Sequence, residues 1–580
     1  MSTIDSAPAS PGAVAPTASG SNGGSNQATA AAAEIRFRPG SPPESTEFWP
    51  GIKRQTVEDG SLIIERDVPV TMRDGVDLLV DVYRPAGVTT SLPTLMSWAP
   101  YGKHGNVRWD SPLFAAYDLG FDPSTLSKHT WFEYPDPEWW CARGYAVVFA
   151  DMRGTWGSGG DATYWTSQEA NDGHDTVEWC AAQPWSNGKV GLSGCSYLAI
   201  SQWNIAATQP PHLAAINPWE GVTDIYRELA FHGGIPETNF LGVWQILAGF
   251  SQNQVEDVTA AAAAHPLLDD YWAAKGPDLE KITVPAFVAA SWSDHGLHTR
   301  GTLEGYRRIS SSDKWLLVHG GKKWAAQYSA ENLDRQLAFF DRFLKGVEHN
   351  EVDEWPAVTL QVREGLDGGT FRDENEWPLQ RTRYEQLFLT SDGTLSDQLP
   401  TTAGVTSYDS ESGRATFDIT FDKATELTGY MSLRLWLVAD DASDADLFVA
   451  IEKLDAAGNE VPFHFFSVQE DGHAALGWLR ASHRELDQDR STPEQPVHTH
   501  RSIEPLPTAE PVALDIEIWP SSTVFAAGET LRLVVQGRDL NSYPAMTPTF
   551  AHDQTVNSGT HTIHSGGKFD SHLLVPVIPE

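Results

Sequence analysis

Lys189-Val-Gly-Leu-Ser-Gly-Cys-Ser-Tyr-Leu-Ala-Ile200 reads as an apolar strand that breaks at a glycine and restarts as a helix. A serine on such a strand-to-helix bend, with Gly194 two residues before it, matches the front of a nucleophile elbow, and Ser196 is the candidate. The bend forces the serine into a strained backbone conformation, so its neighbours must be small. The helix that starts there points its positive end at the place where an oxyanion would form. Leu198 stands where the pentapeptide pattern has a second glycine. Ser193 is a rival nearer the strand end, without turn geometry of its own. A Gly-x-Ser turn is otherwise a common capping sequence, so the rest of the chain has to decide.

Outward from this point, short apolar runs recur at Thr94 to Trp98, Tyr145 to Ala150, Leu213 to Ile216, Val284 to Ala290 and Trp315 to Val318. Helix-like segments such as Asp172 to Ala182 and Tyr197 to Thr208 lie between several of them. Continuous apolar strands alternating with helices predict a parallel sheet covered on both faces, an α/β domain. Upstream, Val68 to Met72 and Val76 to Tyr83 read as antiparallel strands joined at Asp74-Gly75. Between Trp219 and Lys281 the pattern becomes helical, with Trp244 to Phe250 and Val258 to His265 clearest and no obvious strand. That is the character of a lid inserted into the sheet domain. Beyond Trp355, runs such as Met431 to Val438, Leu447 to Glu452 and Val512 to Ile518, with turn pairs at Asp392-Gly393 and Ala457-Gly458, predict an all-β sandwich or jelly roll. The expected division is a disordered tail at 1–34, an α/β domain at 35–218 and 282–354, a helical cap at 219–281 and a jelly-roll β domain at 355–580.

A chain of 580 residues is long enough for about three such domains. Its 78 acidic and 40 basic residues leave a net charge of −38, a field that repels nucleic acids and anionic membranes. No apolar run is long enough to span a bilayer. Cys141, Cys180 and Cys195 show no disulfide framework or metal-ligand spacing, so neither metal nor cofactor is expected and a cytoplasmic setting is. Neither a nucleic acid nor a membrane is expected as a partner, and a homo-oligomer is left open.

Further motifs surround the elbow: Pro100-Tyr101-Gly-Lys103, Asp151-Met-Arg-Gly-Thr-Trp-Gly-Ser-Gly159, Glu178-Trp179, Gln183-Pro-Trp-Ser-Asn-Gly188 and Gln202-Trp203. Together they resemble the CocE/NonD hydrolases, the α/β-hydrolase group that includes cocaine esterase, α-amino acid ester hydrolases and Xaa-Pro dipeptidyl-peptidases. The resemblance runs from about residue 65 to the C-terminus. It implies a serine esterase or peptidase with a catalytic α/β domain, a helical cap and a C-terminal jelly roll. Family members usually carry glycine three residues after the nucleophile, where this chain has Ala199.

In α/β-hydrolases the triad follows in the order Ser, Asp, His. Asp294, in Ser291-Trp-Ser-Asp-His-Gly296, stands just past an apolar run and matches a similar Trp-x-Asp in the family. For the base, the family's Gly-Pro-Trp-x-His ending is replaced by Leu316-Leu-Val-His-Gly-Gly-Lys-Lys-Trp324, with Trp324 where the usual histidine would fall. His319 is assigned as the base, with His295 and His298 as alternatives. For the oxyanion hole, elbow geometry offers the Tyr197 amide. The resemblance implies the Tyr101 hydroxyl as second donor, and Asp151 with Arg153 as a structural pair. Trp156, Trp165, Phe231 and Trp244 are candidates for an apolar acyl pocket. Glu220, Asp224, Glu228 and Glu237 lie where a carboxylate could clamp a substrate ammonium, but read more simply as solvated surface charges. The expected function is hydrolysis of esters with a bulky or aromatic acyl group. Amide or Xaa-Pro peptide cleavage is the alternative, and a carbohydrate-binding protein with a decayed site is the reading from another class.

Overall fold

The computed structural model describes residues 35–579, apart from 46–48, 105–107, 110–113, 115 and 441. The tail expected at 1–34 lies outside the described residues. The central sheet is built from β1 (Leu62–Thr71), β2 (Asp77–Pro85), β3 (Leu92–Ala99), β4 (Ala146–Asp151), β5 (Ser186–Cys195), β6 (Leu213–Trp219), β7 (Ala286–Ser291) and β8 (Lys314–His319). Their spatial order is 1-2-4-3-5-6-7-8. β1 and β2 are antiparallel and turn at Asp74-Gly75, where Gly75 has φ 87°. β2 also runs antiparallel to β4, and from β4 onward every pair through β8 is parallel. β3, β4 and β7 are buried at every position, which is why they appear in the sequence as unbroken apolar runs rather than alternating ones.

Helices α1 (Ser167–Ala181) and α2 (Tyr197–Ala207) follow β4 and β5. α1 starts on a side-chain cap, Thr166 Oγ1 accepting from the Glu169 amide. α2 is buried along almost its whole length, so it lacks a polar stripe.

The segment from Trp219 to Lys281 is a set of short pieces: a π turn at Tyr226–Ala230, α3 (Phe240–Ala248), and helices at Val258–Ala264 and Asp270–Ala273. Unlike the sequence reading, it contains short strands. Phe231–His232 pairs with Ile235–Pro236, and Gln254–Glu256 pairs with Phe37–Pro39. α3 also begins earlier than its apolar pattern indicates. The buried Glu237 carboxylate accepts the amides of Asn239, Phe240 and Leu241, capping the helix from outside the periodic stretch. Farther on, α4 (Thr299–Arg308) follows β7, and α5 (Lys323–Gln327) follows β8.

The sheet passes into the C-terminal region through Val358–Arg363, which runs parallel to β8 and meets Thr523 through Arg363. From Arg383 onward the region is an antiparallel β domain. One layer contains Arg383–Leu389, His572–Val577, Thr425–Ala439 and Val512–Phe525. The other contains Arg414–Thr420, Thr530–Gln536, Asp446–Leu454 and Ala475–Arg480. Leu433, Leu435 and Ile516 from the first pack with Phe417, Val449 and Leu533 from the second in one core. No helix among the described residues is long and apolar enough to cross a membrane.

Candidate active site

Ser196 is the residue between β5 and α2, with φ 57° and ψ −118°. A non-glycine residue holds such a conformation only when its surroundings enforce it. Here the Ser196 amide donates to the carbonyls of Trp219 and Glu220, at 3.0 Å each. Gly194 is required because a Cβ added to it would lie 2.5 Å from Leu198 Cβ. Leu198 therefore fits in place of the second glycine by packing over the first. Ala199 is tolerated for a related reason: its neighbour across the bend is Gly221, where an added Cβ would come to 3.0 Å of Ala199 Cβ. Ser193 lies buried within β5, its carbonyl accepting from Ser97.

The Ser196 hydroxyl meets Nε2 of His298 at 3.2 Å, and His298 Nδ1 bonds to Oδ2 of Asp294. Asp294 follows β7, and its carbonyl accepts the amides of Leu297, His298 and Thr299, a turn that returns His298 to its own carboxylate. His298 is thus the last residue before α4. The base expected at His319 is corrected by this geometry. His319 ends β8, but its Nε2 engages Glu220 Oε1 at 3.0 Å, and its Nδ1 has no hydrogen-bond partner among the described residues. His295, the other alternative, is held between backbone groups: Nδ1 accepts from the Leu476 amide and Nε2 faces the Pro520 carbonyl. The sequence signal for His298 was its i,i+4 spacing from Asp294.

Burial and the Lys323 ammonium push the His298 ring below its ordinary value, against the pull of Asp294 and Glu220. Burial opposes ionisation of Asp294, but Lys323 and His298 outweigh it and hold the carboxyl well below the usual range.

Ser196 opens on an apolar cavity of about 80 Å³. Tyr101 lines it, its hydroxyl accepting from Trp244 Nε1 at 3.1 Å. The Tyr197 amide opens α2, where no carbonyl lies one turn behind it in the helix. Of the four aromatics proposed for the pocket, Trp244 lines it, and Trp165 stacks behind Trp244 with ring centroids 4.9 Å apart. Apart from Trp244 the expected residues are corrected, since Trp165, Trp156 and Phe231 do not line the cavity. Trp156 packs on Phe250 with its Nε1 on the Pro100 carbonyl, and Phe231 stacks on Tyr226 beside a different cavity. The walls that sequence reading missed include Phe132, Phe240, Leu297, Trp324 and Phe466, brought together from five separate segments. Glu133 also faces the cavity. Burial pushes its carboxyl up to about 8, and its Oε1 accepts from Trp324 Nε1 while Oε2 has no partner among the described residues.

The cap acids are not solvated surface charges. Glu220, Glu228 and Glu237 are buried, Glu228 pairing with Arg300 and Asp224 with Arg227. Asp151 and Arg153 do not pair with each other. Asp151 takes the Lys103 ammonium at 2.8 Å, and Arg153 binds Asp172 and Asp74. The buried carboxylate of Glu169 collects Tyr197 Oη, Trp98 Nε1 and the Trp165 amide, fixing the wall behind Trp244.

A sheet of this order with a serine at its strained elbow defines a serine hydrolase of the α/β-hydrolase class. Residues 74–322 match the X-Pro dipeptidyl-peptidase (S15 family) description, and 350–574 match the X-Pro dipeptidyl-peptidase C-terminal non-catalytic domain. A solved CocE/NonD family hydrolase from Staphylococcus aureus is 41% identical, with TM-score 0.87, covering 93% of this chain and 98% of that one. The chain belongs to the CocE/NonD family of hydrolases. Cocaine esterase from Rhodococcus sp. is 26% identical over 90% of this chain and 99% of its own. An Xaa-Pro dipeptidyl-peptidase from Lactobacillus helveticus is 25% identical over 57% of this chain and 50% of its own. The fold is shared with an α-amino acid ester hydrolase at TM-score 0.68 and 17% identity, covering 90% of this chain and 98% of that one.

Proposed function

We propose that the protein hydrolyses carboxylic esters through an acyl-enzyme on Ser196, with His298 as base and Asp294 as its orienting carboxylate. The observation that carries this reading is the 3.2 Å approach of Ser196 Oγ to His298 Nε2 on a strained bend facing an apolar cavity. Ser196 attacks the carbonyl carbon and His298 takes its proton. The negative charge that develops on the carbonyl oxygen is met by the Tyr197 amide and the Tyr101 hydroxyl. The proton then passes to the leaving alkoxide, and water, deprotonated by the same ring, releases the acid.

The aromatic walls support a bulky or aromatic acyl group. The match to X-Pro dipeptidyl-peptidase descriptions over two regions of the chain supports amide or peptide cleavage as the second reading. The domain division at 219–281 and 355–580, a jelly-roll topology for the β domain, and a cytoplasmic setting are part of the same proposal. A panel of acyl p-nitrophenyl esters run against Xaa-Pro p-nitroanilides tests it. The expected result is highest kcat/KM on aryl-acyl esters, and a preference for the anilides would overturn the ester assignment.

A further inference from the structure

Asp294, His298 and Ser196 account for a triad, yet a cation stands among them that the triad does not require. Lys323 opens α5 and is 3% exposed. Its Nζ lies 3.1 Å from Asp294 Oδ2 and 3.1 Å from His298 Nδ1. The oxygen it touches is the one that His298 Nδ1 bonds, while Asp294 Oδ1 has no hydrogen-bond partner among the described residues. One carboxylate oxygen thus serves both ring and ammonium.

We propose that Lys323 is a positioning residue of the serine site: its ammonium pins the Asp294 carboxylate and opposes positive charge on the resting His298 ring, so that the enzyme keeps a free base at more acidic pH than a triad without the lysine.

With Nδ1 protonated toward Asp294, Nε2 is the acceptor for the Ser196 proton. Adding a second proton to the ring places an imidazolium against an ammonium in a buried site, where like charges repel strongly. The groups facing this ring come from every surrounding segment. Asp294 on its own loop and Glu220 after β6 favour the charged ring, Lys323 on α5 opposes it, and His319 is occupied by Glu220. Glu133, from the segment before α1, lies near Lys323 and is largely protonated at neutral pH. The ammonium itself is held charged by its acidic neighbours. The arrangement has a cost, because the imidazolium formed during turnover meets the same repulsion. Lys323 therefore trades peak rate for an extended acid range.

This inference rests on the Ser196–His298 reading, and the experiment separates the two. The acid limb of kcat/KM reports the free enzyme's base. In the wild type it is expected below pH 6.5, the ordinary histidine value. A wild-type limb no lower than that of a folded Lys323→Met or Lys323→Gln variant overturns the proposal. In Lys323→Met the limb is expected to rise by about one to two pH units, and Lys323→Arg should return it toward the wild type. Lys323→Gln serves where the methionine variant does not fold, as judged by circular dichroism. A folded charge-neutral variant with an unmoved acid limb makes the lysine merely structural. If instead His298→Ala still labels at Ser196 with a fluorophosphonate at the wild-type rate, the underlying triad reading fails, whatever Lys323 does.

Discussion

Two buried acid–histidine pairs sit side by side at the C-terminal rim of the sheet, and only one of them reaches the serine. Asp294 and His298 follow β7, while Glu220 follows β6 and its partner His319 closes β8. Both pairs join a carboxylate to an imidazole in buried surroundings. The difference is backbone geometry. His319 is still part of the sheet, in register with Ser291 of β7, so its direction is set by the strand. His298 has left the sheet, and the turn on the Asp294 carbonyl carries its ring back over the elbow. Chemical type alone does not bring a carboxylate–imidazole pair to the serine; the connection that aims the ring does.

The largest expected effect fixes the reference for this comparison. Ser196→Ala should lower kcat by about 10⁶, and His298→Ala by a similar factor, since members of a triad act as a unit. His319→Ala, if its pair only supports the rim, should cost less than about 10², because no proton passes through it. An equal loss for the two histidines would erase the distinction between the pairs.

Asp294→Asn should cost about 10⁴ by presenting the wrong ring tautomer to the serine. Glu220→Gln removes a carboxylate from the other pair, so its loss should stay far below that of Asp294→Asn.

On the oxyanion side, Tyr101→Phe should lose about 10² to 10³ in kcat, the scale for one preorganised donor, with KM little changed. The smallest effect is expected at Glu133. Its carboxyl is pushed up to about 8, so at pH 7 it is mostly neutral and Glu133→Gln should change kcat/KM by no more than about threefold. As pH rises through 8, wild-type Glu133 gains a negative charge beside the developing oxyanion and the rate should fall. The glutamine variant should lack that decline, which a pH profile of both proteins would reveal.

The elbow was legible because its constraints are local. Gly194, Ser196 and the apolar run before them are set by one bend, and Asp294 by its place after a strand. The strands and their parallel sheet could be reached, though not their spatial order, because buried parallel strands announce themselves as continuous apolar runs. The base could not be settled in the same way. Which ring reaches the serine, that of His298 or that of His319, depends on where a turn sends a side chain after the sheet ends, and the three amides that donate to the Asp294 carbonyl set that turn. The pocket was harder still. Trp244 is one wall among several contributed by segments hundreds of residues apart, such as Phe132 and Phe466, whose convergence leaves no spacing to read. The cap acids misled for the reason that makes them useful: Glu237 and Glu228 are polar in sequence but buried in the fold, one capping a helix and one balancing Arg300.

In the proposed mechanism the serine at 196 is made nucleophilic by the ring at 298 and not by the one at 319. Fluorophosphonate labelling of the wild type, His298→Ala and His319→Ala, followed by peptide mass spectrometry, tests it most directly. An adduct on the Ser196 peptide is expected to form rapidly in the wild type and His319→Ala and to be nearly abolished in His298→Ala. Rapid labelling in His298→Ala together with its loss in His319→Ala would contradict it.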